Sequence, residues 1–213
     1  MFTRLTHKSR KRPASRKNSR GAALITSLLL LLLLSGLTVA MVVTANSDML
    51  INGYYRGFRG SFYAADSGLT IARQQMVNQL LAAGTASFSG TTPPISLSAQ
   101  SGVISSVNAS YGTGYQTLNS GQSAYSWPES FQLDTTATTL GAPTVTTTSD
   151  AKGNITGYTY VYNYSLRGFG RSSGNQVTTL SDSGTIKINV AGTAGSTTTS
   201  FAAYGMFINT YNI

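Results

Sequence analysis

The stretch Ala22–Val43 reads AALITSLLLLLLLSGLTVAMVV and contains no charged residue. A bilayer core of roughly 30 Å takes about 20 helical residues, and this run supplies roughly 33 Å of helix at 1.5 Å per residue. In lipid every backbone amide must be bonded within the segment, so a helix is the form this run dictates. Arg4, Lys8, Arg10, Lys11, Arg12, Arg16, Lys17 and Arg20 all precede it. By the positive-inside rule this flank places residues 1–20 in the cytoplasm and exports everything downstream.

That distribution decides how the net charge is read. The 213-residue chain has 15 Lys+Arg against 6 Asp+Glu, a formal charge of +9. Without the eight basic residues of the flank, 15 − 8 = 7 cations remain against six acids, so the exported part carries +1. No basic face large enough to release many phosphate counterions is left, and no nucleic-acid partner is indicated. The charge is topogenic.

Chemistry finds little to work with. Without cysteine there are no disulfides, thiolate nucleophiles or cysteine metal sites. His7, the sole histidine, lies in the basic flank, so the exported part has no histidine for a Ser-His-Asp or metal site. Glu129 with Asp134 is the nearest approach to a glycosidase pair. Asp150-Ala-Lys-Gly-Asn154 lacks the acid density of a calcium loop, and Gly112-Thr-Gly114 has no P-loop lysine behind it. The sequons at Asn108, Asn154 and Asn163 arise easily in Ser/Thr-rich sequence. The reading is non-enzymatic, with no catalytic, cofactor or metal residue expected.

Three fates compete for the apolar segment. It fits a plain single-pass anchor. It also fits a secretory signal cut after Val43 and Ala45, although secretory apolar regions run about 7–15 residues and this one is longer. The third fate is cleavage on the cytoplasmic side, at Gly21, which closes the basic stretch directly before the run.

KNSRGAALITSLLLLLLL (Lys17–Leu34), followed by NGYYRGFRGSFYAADSGLTIARQQM (Asn52–Met76), resembles the N-terminal region of PilX-type minor pilins, over roughly residues 16–81. The family's Ala-Ala-acid motif falls on Ala64-Ala65-Asp66, with Asp66 where glutamate is usual. The resemblance implies a prepilin leader cut between Gly21 and Ala22, with Ala22 becoming a methylated N-terminus. It implies residence in the bacterial inner membrane, N-terminus inside, and the partners prepilin peptidase, minor and major pilins, the inner-membrane assembly platform and membrane lipid. Incorporation into a type IV pilus and a role in cell adhesion belong to the same expectation. The small residues Ala23, Thr26, Ser27, Ser35 and Gly36 then allow close helix–helix approach. Major pilins usually carry glutamate at the fifth mature position, and Thr26 stands there instead. A membrane carboxylate must be paired, so its absence removes one subunit-pairing device and points to a tip or priming subunit. A type II secretion pseudopilin shares these features. An uncleaved anchored surface-binding protein is the other alternative.

Past the membrane, Gly53, Gly57 and Gly60 predict a kink or break near Tyr54–Gly60. Phe62, Ala65, Leu69, Ala72, Met76 and Leu80 then recur at helical spacing as one packing stripe, stopped near Gly84. Asp66 reads equally as a solvated residue or a special contact. Short strands are expected at Ile95–Leu97, Val103–Val107, Phe131–Leu133 and Thr144–Thr148. Asp150–Asn154 reads as a hairpin turn before the strand Gly157–Leu166, and strands follow at Gln176–Leu180 and Gly184–Val190. Tyr158, Tyr160, Tyr162 and Tyr164 share one face of their strand, as a carbohydrate-stacking surface or as cross-strand packing. The apolar end FAAYGMFINTYNI fits an edge strand or a domain that stops short. The expected class is α+β, pilin-like: leader 1–21, transmembrane helix 22–45, polar linker and amphipathic helix 46–84, and a Ser/Thr/Gly-rich antiparallel β domain 85–213.

Overall fold

The computed structural model describes residues 19–84, 88, 92–118, 130–192 and 200–208, with 19–20 and 200–208 by backbone alone. The chain divides into two units, Met1–Asn52 and Gly53–Ile213. The described part of the first unit is helix, the N-terminal portion of α1 (Ser19–Ala82), and residues 21–52 are exposed throughout.

The second unit is an antiparallel sheet covered by helix. Its elements after α1 are α2 (Gln100–Tyr111), β1 (Gln116–Thr117), β2 (Ser130–Leu133), β3 (Thr139–Leu140), β4 (Thr144–Ser149), β5 (Ile155–Arg171), β6 (Val177–Ala191) and β7 (Ser200–Ile208). The sheet path is β1-β2-β5-β6-β7, with β3 and β4 also paired to β5. The α+β layout expected from the sequence is therefore the one found.

β5 and β6 form the spine, a hairpin in continuous register from Gly157↔Ala191 to Arg171↔Val177. Along β5, Tyr158, Tyr160, Tyr162, Tyr164 and Leu166 are buried on one face, while Asn163 and Arg167 on the other are exposed. The tyrosines are core: the Tyr158–Tyr160 and Tyr160–Tyr162 ring centroids are 6.4 and 6.3 Å apart. The stacking-surface reading fails because these rings are at most 4% exposed. Leu69, Ala72, Met76 and Leu80 of α1 fill the same core, as do Val103 and Val107 of α2. Each large apolar side chain so buried contributes about 1.5–3 kcal/mol.

Four expectations need correction. The break at Tyr54–Gly60 is absent: these residues are helical, and Gly57 and Gly60 turn inward. A Cβ on Gly57 would collide with the Gln176 side chain at the β5–β6 turn. Glycine weakens a helix by about 1 kcal/mol, and close packing offsets that here. Val103–Val107 is helix, not strand. Val103, Ile104, Val107 and Tyr111 follow a helical stripe that the β-branched side chains disguised. Ile95–Leu97 makes a single bridge, Gly84↔Ile95, and its anchor is the Ile95 N–H donating to the Tyr160 hydroxyl at 3.1 Å. The two strands expected at Gln176–Leu180 and Gly184–Val190 are one, because Ser181–Ser183 continues the ladder instead of turning.

The hairpin turn before β5 is as expected. Asp150 Oδ1 accepts the Lys152 and Asn154 N–H groups, each at 2.8 Å, and Gly153 takes φ 84°. Among the described residues β7 lies at the sheet edge.

The tightest packing lies where α1 crosses the end of β5. A Cβ on Gly170 would overlap the Ser61 carbonyl oxygen and the Ala65 amide nitrogen, both backbone atoms. The Phe131 ring is slotted between Gly68 of α1 and Gly168 of β5, and a Cβ on either glycine would strike it. We expect Gly170→Ala to lower stability by about 1–3 kcal/mol. Gly102→Ala, on the open surface of α2, should be neutral or raise stability by up to about 1 kcal/mol. Thermal melts of the detergent-extracted chain compare the two, and equal midpoints would show that the helix does not sit this close.

Candidate functional site

In the first unit the helix presents Leu24, Leu28–Leu34 and Val39–Val43 to the outside, and its large side chains there are more than half exposed. Polar atoms are the obstacle to placing such a helix in lipid, and each has a local answer. Thr26 Oγ1 donates to the Ala23 carbonyl at 3.0 Å, Ser27 Oγ to Leu24 at 2.9 Å and Ser35 Oγ to Leu32 at 2.8 Å. Thr38, Thr44 and Ser47 donate to the carbonyls of Leu34, Ala40 and Val43 at 2.5, 2.9 and 3.0 Å. No hydroxyl in this stretch needs water or a partner chain. Among the described residues this is the one helix long and apolar enough to cross a membrane.

Gly21 and Ala22 lie in the first turn of this helix, exposed, and a Cβ on Gly21 or Gly36 would meet nothing. The first turn has no acidic residue to favour its N-terminus. Glycine there weakens the turn by about 1 kcal/mol relative to alanine.

The motif Ala64-Ala65-Asp66 lies in the second unit, and its alanines are packing residues, at 2% and 0% exposure. One turn earlier, the buried Ser61 hydroxyl meets Thr178 Oγ1 of β6 at 2.5 Å. Asp66 is half-buried on the side of α1 that carries a charged cluster. Arg73 Nη1 donates to Asp182 Oδ2 at 3.0 Å, and the Tyr164 hydroxyl donates to Asp182 Oδ1 at 3.2 Å. Burial pushes the Asp182 carboxyl above its ordinary value, with the nearby Asp66 charge adding to it and Arg73 opposing. Burial, then Asp182, pushes Tyr164 up to about 12, so its hydroxyl stays a donor. The sequence carries no signal for this cluster, whose ion pair joins residues 109 positions apart.

A second ion pair closes the outer side of the sheet. Asp134 Oδ1 accepts the Thr136 hydroxyl at 2.7 Å and its N–H at 3.0 Å, while Arg167 Nε and Nη2 reach Oδ2 at 2.8 and 2.5 Å. The Thr136 hydroxyl, then Arg167, hold this carboxyl down at about 2. Asp134 is thus a turn-and-strand clamp. Glu129, its partner in the glycosidase reading, lies outside the described residues, as do residues 1–18.

A family model described as PilX N-terminal matches residues 20–70, which is 51 of the 213 residues. The chain therefore carries a PilX-type pilin N-terminal region, and the match supports a type IV pilin-like protein. Neither the curated proteins nor the solved structures offer a match to this chain.

Two outcomes follow from the charged contacts. Arg73→Met should cost about 3–5 kcal/mol, because it strands the Asp182 carboxylate in the core. Adding Asp182→Leu should recover part of that loss, and denaturant midpoints of the two single variants and the double variant give the coupling. Asp134 has its folded-state value depressed below the ordinary 3.8, so its contribution is present above that value and fades as pH falls towards about 2. Asp134→Asn should be less stable than the parent at pH 7, and the difference should shrink between about pH 4 and pH 2. A difference constant across that window would mean that the clamp is not electrostatic.

Proposed function

We propose that this chain is a minor pilin-like subunit, processed by prepilin peptidase and assembled through its N-terminal helix into a type IV pilus. The observation that carries the reading is the exposed, uncharged helix over Ala22–Val43, its polar atoms internally bonded, inside a stretch that matches the PilX N-terminal family. In this reading residues 1–21 are the leader and residues 22–45 hold the subunit in the inner membrane with its N-terminus in the cytoplasm. The remainder of α1 and the sheet are exported. Cleavage at Gly21 leaves Ala22 as the N-terminus, which the same peptidase methylates.

Helix–helix contacts then replace lipid contacts, and Ala23, Thr26, Ser27, Ser35 and Gly36 supply the small surface for close approach. The partners are the peptidase, other minor and major pilins, and the assembly platform. The tip or priming role rests on Thr26. Its hydroxyl is bonded to its own helix and offers no carboxylate to a neighbouring N-terminal amine. The protein acts by assembly and not by catalysis.

Intact mass and N-terminal sequencing of the membrane-extracted chain, from cells with and without prepilin peptidase, test the reading. The expected mature chain begins at Ala22 and is found only with the peptidase. Retention of residues 1–21 in both strains would leave a plain anchor, and a chain starting at Asn46 would remove the membrane helix and the proposal with it. Should the chain support filaments as sole subunit in a pilin-null strain, the tip or priming role is lost while the pilin reading stands.

A further inference from the structure

Where α1 enters the second unit it carries aromatic and cationic side chains that the fold does not use. Tyr54, Tyr55 and Tyr63 are 67%, 65% and 54% exposed, and Arg56 and Arg59 are exposed among them. With about 3.6 residues per turn, Tyr55, Arg56, Arg59 and Tyr63 fall on one face of the helix. Gly57, Ser61, Ala64 and Gly68 fall on the other, towards the sheet. On the outer face the Arg59 guanidinium lies over the Tyr63 ring, 6.0 Å from its centroid.

The charge of this face is uncompensated. Arg73 is paired with Asp182 and Arg167 with Asp134, whereas among the described residues neither Arg56 nor Arg59 joins an ion pair. The nearest acids along α1 are Asp48, eight residues before Arg56, and Asp66, seven after Arg59. Both lie beyond the spacing of three or four at which helix side chains meet. Interleaved tyrosine and arginine suit the boundary of a bilayer. Tyrosine rings settle at headgroup level there, and a guanidinium matches the geometry of phosphate. Two arginines are too few to hold a nucleic acid, but a surface kept close by the chain itself needs few contacts.

We infer that the face formed by Tyr55, Arg56, Arg59 and Tyr63 binds the phosphate headgroups of anionic phospholipid, in the outer leaflet of the membrane that the same chain spans. Connectivity names this occupant. Arg56 follows Val43, the last residue of the apolar run, by 13 positions, about 20 Å of helix. The headgroup layer fills roughly the first 5–8 Å of that distance. Side chains lean towards the helix N-terminus, here the bilayer, and inclination of α1 closes the rest. Met49, Leu50 and Ile51 on the connecting stretch are exposed and apolar, so that stretch also favours the bilayer boundary over water. The inference rests on the membrane-spanning part of the proposed function and needs neither leader cleavage nor filament assembly.

The chain has no cysteine, so a fluorophore on Ser67→Cys, exposed one turn past Tyr63, reports on this face. The full chain is placed in nanodiscs of phosphatidylcholine, with or without phosphatidylglycerol, each doped with headgroup-nitroxide lipid as quencher. Quenching should be about twofold or more stronger with phosphatidylglycerol and should weaken in high salt. In Arg56→Gln/Arg59→Gln it should fall to the phosphatidylcholine level. Asp48→Asn, which removes the opposing charge, should strengthen it. The same fluorophore on Ala151→Cys, in the turn at the opposite end of β5 from Gly170, should be little quenched in either disc. Circular dichroism reports whether the double variant folds, and the salt and Asp48→Asn arms decide the matter if it does not. Quenching at Ser67→Cys that ignores phosphatidylglycerol, survives the loss of both arginines or equals that at Ala151→Cys would overturn the inference. A chain that elutes apart from the discs would overturn the membrane reading beneath it as well.

Discussion

The second unit depends on how close α1 comes to β5. At Gly170 the backbones of helix and strand nearly touch, with Ser61 and Ala65 on one side and no side chain on the other. Everything nearby follows from that separation. Phe131 fits as a flat ring between Gly68 and Gly168, and the Ser61 and Thr178 hydroxyls meet directly. Further along α1 the seam widens, and Leu69, Met76 and Leu80 fill it against the tyrosine face of β5. A helix that crosses a sheet with small residues at one end and large ones at the other has its position set by shape.

This explains which parts were legible beforehand. The membrane helix, the packing stripe on α1 and the hairpin before β5 are local patterns of 22, 19 or 5 residues, and each was readable from its own composition. Gly57 and Gly60 misled because glycine has two meanings in a helix: a weak point when exposed, a notch when another element lies against it. At Gly57 the position of Gln176 distinguishes them, and that residue is more than a hundred positions away. Ser181-Asp182-Ser183 misled in the same way. Its local chemistry is that of a turn, and the long-range contacts of Asp182 with Arg73 and Tyr164 hold it in the ladder. Local propensity lost where a distant partner supplied more energy.

The extent of the family match has a physical counterpart. Residues 20–70 take in the apolar helix and the small residues of α1 at the seam, from Gly57 through Ser61 and Ala65 to Gly68. The sheet side lies outside it: Phe131, Gly168, Gly170 and Thr178. At the crossing this helix face meets glycines and one flat ring. The Ala-Ala-acid motif reads the same way. Its alanines are the crossing, and Asp66 sits beside the Asp182 cluster, where its charge is felt by a buried carboxylate.

The exposed helix poses the opposite problem, since among the described residues of its own unit nothing packs on it. Six Ser and Thr hydroxyls between Thr26 and Ser47 are all bonded to carbonyls three or four residues back. A hydroxyl bonded in this way asks nothing of its surroundings, so lipid tails and apolar side chains are nearly equivalent environments for the segment. No strong polar bond then holds the helix in either place. For the proposed role that near-balance is what transfer from membrane to filament requires. The preference between the two must come from packing, where Gly36 and the small residues around it let a neighbouring backbone approach more closely than an acyl chain can exploit. A glutamate at Thr26 would add a strong, partner-dependent term and tilt that balance. In the proposed assembly, threonine there leaves shape alone to bring the helix into a bundle.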